Sequence, residues 1–180
     1  MGQTPRRRSS PVRMPARTLF IVGLALATIL LPLLIDRLRE PTAAAAWRVL
    51  DIHDGDTISC LAPDGRSRRI RLVGIDAPEF GQAYGRRAAA ALAAKIAGRM
   101  VRVEDRGIDQ HGRLLGRIDV DGRDINREMV AEGWAWTFGF APEDSYLAAE
   151  TEARRTRSGL WSDPRPTAPA EWRAQHPRQH

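Results

Sequence analysis

Short apolar runs separated by turn signals follow one another from Trp47 to Val120. The clearest is "SRRIRLVGI", where Ile70 and Leu72 alternate with Arg69 and Arg71, the two-residue period of a strand with one buried face. Upstream, "WRVLDIH" and "TISCL" read as strands flanking "DGDT", in which Asp-Gly marks a tight turn. "PDGR" turns the chain again into the third strand. After "IDAPE" the pattern changes to the alanine-rich "YGRRAAAALAAKIAG", which predicts a helix closed by Gly98. "RMVRVED" and "LLGRIDV" predict a fourth and fifth strand joined by the polar loop "RGIDQHGR". "DGRDINREMVAEG" predicts a short helix with Asp124 as N-cap and Gly133 as its stop. "WAWTFGF" reads as extended and aromatic. "PEDSYLAAETEARRTRSG" reads as a last helix, with acids in its first turn and arginines in its last. The segment 162–180, "SDPRPTAPAEWRAQHPRQH", is Pro-rich and polar and predicts a loosely held tail.

Five short strands and three helices in this order predict an α+β domain over 47–161, built as a five-stranded β-barrel of the OB type. Ahead of it lies a different pattern. Residues 1–18 are basic, "RRRSSPVRMPAR" supplying five arginines and no acid. Leu19–Ile35, "LFIVGLALATILLPLLI", carries no charge at all. As a helix these seventeen residues would rise ~26 Å, just short of the ~30 Å hydrocarbon core of a bilayer. The basic flank precedes the apolar run, so the positive-inside bias predicts a cytoplasmic N-terminus and an extracytoplasmic remainder. The linker 36–46 ends in "TAAAA", small residues that suit a signal-peptidase cut, while "DRLREP" before it makes a poor cleavage region. A membrane anchor in contact with inner-membrane lipid and a removed signal peptide both remain open. Either route places the domain outside the cytoplasm, facing the periplasm or exterior or secreted.

Charge narrows the function less than its total suggests. Twenty-eight Lys and Arg against 22 Asp and Glu give +6 over 180 residues. Residues 1–41 hold +5 of it, with seven Arg and two acids, so the domain and tail are close to neutral. Bulk charge is therefore no argument for a polyanion partner, and any such argument must come from a local site. The lone Cys60 excludes an intrachain disulfide and leaves the redox compartment undetermined.

That site is suggested at the strand ends. "DGDT" places Asp54 and Asp56 on a turn, and "IDAPE" places Asp76 and Glu79 at the end of the third strand. Each taken alone is an ordinary turn with solvated acids. Together they offer hard anionic oxygens from two places that a barrel brings close, a donor set suited to Ca2+. The four histidines are scattered and do not suggest zinc. Arg71 lies within a strand among apolar neighbours, five residues before Asp76, and Arg113 follows in the later loop. Two guanidiniums, a divalent cation and a spare carboxylate are the equipment of phosphodiester hydrolysis, whose transition state gathers negative charge on its equatorial oxygens.

"DGDT", "RLVGIDAPE", "DQHGR" and the closing "GLW", in that order, resemble the staphylococcal nuclease (thermonuclease) homologues over Trp47 to Trp161. The resemblance implies an OB barrel with three helices. It implies Asp56, Asp76 and the main-chain oxygen of Ala77 as Ca2+ ligands, with Arg71, Glu79 and Arg113 as the catalytic residues. Ala77 stands where the namesake enzyme has threonine, which matters little for a main-chain ligand. Gln110 and His111 stand where it has a lysine and a tyrosine on a phosphate, which puts substrate affinity and end preference in question. Phe138 or Phe140 would stack on a base if the aromatic segment lines the site, though core packing is the simpler role.

The expectation is a monomeric, calcium-dependent nuclease acting on DNA, with RNA open as a substrate. Two rivals stand beside it. A non-catalytic OB module would bind single strands, but should show gaps among the acids and arginines, and none of the five is missing. A membrane-tethered interaction domain with a structural calcium would not need Arg71 and Arg113 together.

Overall fold

The computed structural model describes residues 46–139 and 143–177. The expectations for 1–18, 19–35 and 36–45, and for Phe140, lie outside the described residues. Among the described residues no helix is long and apolar enough to cross a membrane.

Strands β1 (Trp47–Ile52), β2 (Thr57–Leu61), β3 (Ser67–Leu72), β5 (Met100–Ile108) and β6 (Leu114–Val120) form the barrel. The order β3-β2-β1-β5-β6 is antiparallel throughout, and a parallel pairing of β3 with β6 closes it. Two-residue strands β4 (Ile75–Asp76) and β8 (Trp136–Thr137) pair beside it, and β7 (Arg123–Asp124) extends β6. The helices are α1 (Gly85–Ile96), α2 (Ile125–Ala131), α3 (Asp144–Arg155) and α4 (Pro169–Gln175). The α+β barrel is thus as the sequence predicts, with a fourth helix added.

The period-two pattern does what it should. Ile58 and Cys60 of β2, Ile70 and Leu72 of β3, and Ile118 of β6 are fully buried, and Leu92, Ile96, Met129 and Val130 of the helices cover them. Closure needs a residue without a side chain at Gly116, because a Cβ there would meet Ile70 Cγ2 at 2.8 Å and Val103 Cγ1 at 3.1 Å. Asn126, fully buried on α2, bolts this seam. Its Oδ1 accepts from Ile118 N at 3.1 Å, and its Nδ2 donates to Val73 O at 2.9 Å and Gly116 O at 3.1 Å. Asp124 caps α2 as expected, accepting from Arg127 N at 2.9 Å.

Three segments differ from the sequence reading. Strand β5 runs on to Ile108, through part of the expected loop, because a register shift between Asp105 and Ile108 absorbs the turn at Gly107. Among the described residues of "WAWTFGF" only Trp136–Thr137 is strand, paired to β4. The described part of the Pro-rich segment, 162–177, is not loose. Gln82 Nε2 donates to Thr167 O at 2.6 Å, Pro169 is buried, and α4 follows, so tertiary contacts hold what composition alone would leave free.

Candidate active site

The "DGDT" turn is built by its own first acid. Asp54 Oδ1 accepts from Asp56 N at 2.9 Å, while His53 N donates to Thr57 O at 2.9 Å and starts β2. The turn is then pressed against the "IDAPE" bend. Gly55 permits this approach, because a Cβ there would lie 2.7 Å from both Ala77 Cβ and Ala88 Cβ. Asp56 reaches across to accept from Ala77 N at 2.6 Å. The metal-ligand candidates from two distant motifs are thereby locked together.

Arg71 projects from the end of β3 into the same place and is held from four sides. Its Nη1 donates to Leu72 O and Ile75 O, each at 2.7 Å; its Nη2 donates to Asp76 Oδ1 at 2.9 Å; and its Nε lies 3.2 Å from Asp56 Oδ1. The side chain is 12% exposed, those of Asp56 and Asp76 only 7% and 5%. Burial pushes the Asp56 carboxyl up to about 7; Arg71 pulls it down, and Asp54 and Asp76 add repulsion that raises it again.

Glu79 sits at the rim on the turn leading into α1, its main-chain N donating to Gln82 Oε1 at 3.2 Å. Arg113 closes the turn between β5 and β6, where Asp109 holds it twice: Arg113 N donates to Asp109 Oδ1 at 2.9 Å and Nε to Oδ2 at 2.7 Å. The candidates Asp56, Arg71, Asp76, Ala77, Glu79 and Arg113 all line one open cleft of about 1560 Å³. Gln110, His111 and Phe138 border it as well, and Phe138 is exposed rather than packed in the core.

A group the sequence reading missed also lines this cleft. Arg173 of α4 places Nη2 2.9 Å from Asp76 Oδ2, and Nη1 3.2 Å from Asp76 Oδ1 and 3.1 Å from Glu79 Oε1. These hydrogen bonds, Asp76 foremost, raise its guanidinium further above its ordinary range. The signal was present in "TAPAEW": proline at the first helical turn and Glu171 behind it mark a helix start.

Two buried aspartates and the neighbouring main chain form an all-oxygen donor set, which fits a hard cation rather than zinc or copper. Among the described residues no cluster of three or more His, Cys, Asp or Glu would cage a metal by itself. A cation here would complete its shell with main-chain oxygen and solvent, as Ca2+ accepts. The desolvated Asp56 carboxyl is the feature that asks for one.

Comparison with known proteins gives a consistent picture. Residues 69–163 match the family model described as staphylococcal nuclease homologue. Protein ParB of Escherichia coli is 42% identical over 148 residues, covering 73% of this chain and 83% of its own. An uncharacterized endonuclease of Haemophilus influenzae is 37% identical over 129 residues, 71% of this chain and 72% of its own. The micrococcal nuclease of Shigella flexneri is 41% identical over 137 residues, 69% of this chain and 78% of its own.

Proposed function

This chain belongs to the staphylococcal nuclease homologue family, and on that premise we propose that it is a calcium-dependent nuclease that hydrolyses phosphodiester bonds of DNA outside the cytoplasm. The observation that carries the reading is the convergence of three acids and two arginines, from motifs up to 57 positions apart (Asp56 to Arg113), on one open cleft.

Asp56, Asp76 and the Ala77 carbonyl would hold the cation. When bound, it supplies Lewis-acid polarisation of the phosphate and compensates the charge that builds there. Glu79, at the rim and 24% exposed, takes the proton of the attacking water. A carboxylate fully buried beside Asp76 would be a poorer base for a solvent nucleophile, since water could not reach it. Arg71 offers the phosphate oxygens its permanent charge and the Nη2 proton that Asp76 does not take, and the two backbone carbonyls that grip Nη1 keep the guanidinium in place. Arg113, fixed by Asp109, stabilises the same charge from the opposite loop and assists the departing 5′ oxygen, leaving 3′-phosphate ends. The basic and apolar residues 1–35 would deliver the domain across the membrane, as an anchor or a removed signal, and a monomer suffices for this chemistry.

The test is cleavage of plasmid and single-stranded DNA, with RNA alongside, in calcium and in chelator. Glu79→Gln should lower the rate by about 10²–10³ while unfolding like wild type, the usual cost of losing one essential polar group at a transition state. Wild-type cleavage by Glu79→Gln would remove Glu79 from the mechanism. DNA binding without cleavage by the wild-type protein would favour the non-catalytic OB module, and cleavage undiminished by chelator would remove calcium.

A further inference from the structure

Helix α4 lies beyond residue 163, where the match to the family model ends, yet its Trp172 and Arg173 line the cleft. Its root is anchored independently of its tip. Thr167 O is bound by Gln82, Pro169 is buried, and Trp172 stacks on His176 at 3.7 Å and 15° across the last turn. The contacts of Thr167 and Pro169 at the helix start do not involve Arg173 and remain if it lets go. Arg173 itself is a long, flexible side chain, 42% exposed, and can leave its partners by rotamer changes alone.

Its partners are the telling part. Asp76 is 5% exposed, and both of its carboxylate oxygens are taken by guanidiniums: Oδ1 by Arg71 and Arg173, Oδ2 by Arg173. The same Nη1 bridges to Glu79 Oε1. Arg173 thus neutralises one candidate cation ligand and the candidate base with a single charge. A divalent cation on Asp76 would face that charge at close range, with little water between to screen it. It would also do the neutralising better, leaving the guanidinium without a task.

We propose that Arg173 is an exchangeable stand-in for the cation: it holds Asp76 and Glu79 while the site is empty of metal, and calcium must displace it to load the site. This rests on the calcium-dependent reading above. The C-terminal helix then sets the calcium concentration at which the nuclease switches on, and Arg173 gives up its contact with Glu79 in the same event.

The experiment is calorimetric titration of calcium alone, without nucleic acid, into full-length wild type, Arg173→Ala and Arg173→Gln. Glutamine retains hydrogen bonding but removes the charge. Both variants should bind calcium about tenfold more tightly, the scale expected for removing a half-exposed charged competitor. Both should also lose thermal stability in chelator and regain it in calcium. Calcium affinity equal to or weaker than wild type in either variant overturns the inference and makes Arg173 a clasp. If wild type needs calcium for cleavage and the variants' affinity is unchanged, only this inference falls. If wild type neither binds calcium nor loses activity in chelator, the calcium reading falls and takes this inference with it.

Discussion

Arg71→Ala should damage the fold as well as the chemistry, and the size of the damage follows from its partners. The guanidinium is 12% exposed and is shared between Asp56 and Asp76, which are more buried still. Breaking such a pair by removing one partner typically costs ~3–5 kcal/mol, because a buried charge is left uncompensated. Leu72 O and Ile75 O lose donors too, but water entering the shortened site can replace those, so we take ~4 kcal/mol as the working value. For a domain of this size ~1 kcal/mol moves the midpoint by ~4 °C, so unfolding in chelator at pH 8 should occur ~15 °C lower. At pH 6 the loss should be smaller, because the desolvated Asp56 can take up a proton instead of remaining charged. Saturating calcium should recover part of it at pH 8, supplying the positive charge that the arginine supplied. Arg71→Lys should keep much of the stability, having charge but no fork, yet should still cut slowly. The assay is circular dichroism melting of the three proteins at both pH values, with and without calcium. An Arg71→Ala protein melting within ~2 °C of wild type in chelator at pH 8 would refute the reasoning, since Arg71 would then be a solvated group of no structural consequence.

Two further outcomes follow from the same geometry. Gly55→Ala should push the "DGDT" turn off Ala77 and Ala88 and break the 2.6 Å bond from Ala77 N to Asp56; a loss of ~1–3 kcal/mol by urea unfolding, with weaker calcium binding, is expected, and wild-type values for both would contradict the close packing. The Asp56 carboxyl, raised in the folded chain to about 7 from 3.8, favours folding in its protonated form. That contribution is complete below pH ~4 and is lost as pH rises through ~7, so metal-free wild type should lose stability between pH ~4 and ~7. Asp56→Asn should flatten that slope, and an identical slope in urea titrations of the two proteins would show that Asp56 is not its source.

Much of this architecture was legible because its signals are local. Asp-Gly turns, the alternation of Ile70 and Leu72 with arginines, and the Asp124 cap each specify their own element within a few residues, and the barrel order follows from them. The cleft residues were legible for the same reason, since each pair sits on one short motif. What could not be read depends on contacts between distant positions. Arg173 lies 97 residues from Asp76, and nothing in "EWRAQ" states which acid it will meet. Asn126 looked like any polar residue of a short helix, yet it ties α2 to β6 and to the turn after β3. Asp109 appeared as one polar residue in a polar loop, and only the closed turn gives it Arg113 to hold.

The balance of charge in the cleft explains why a near-neutral domain should act on a polyanion at all. Asp54, Asp56, Asp76 and Glu79 line it together; of the arginines there, Arg71 and Arg173 are engaged with those acids and Arg113 with Asp109, while the exposed Arg69 stands outside these pairs. In that state Arg69 is, among the described residues, the one cleft arginine outside those pairs that can meet a phosphate, and the rest of the domain adds almost no net charge. A cation on the aspartates reverses this, because two positive charges enter and, on the exchange argued above, a guanidinium is released toward the opening. Attraction for the substrate then depends on the same event that prepares Glu79. On this reading calcium should tighten DNA binding as well as permit cleavage, even in Glu79→Gln, in which cleavage is slowed. Fluorescence anisotropy of a labelled oligonucleotide would show it, and affinity for DNA equal in calcium and chelator would mean that phosphate is drawn to the cleft by groups other than these.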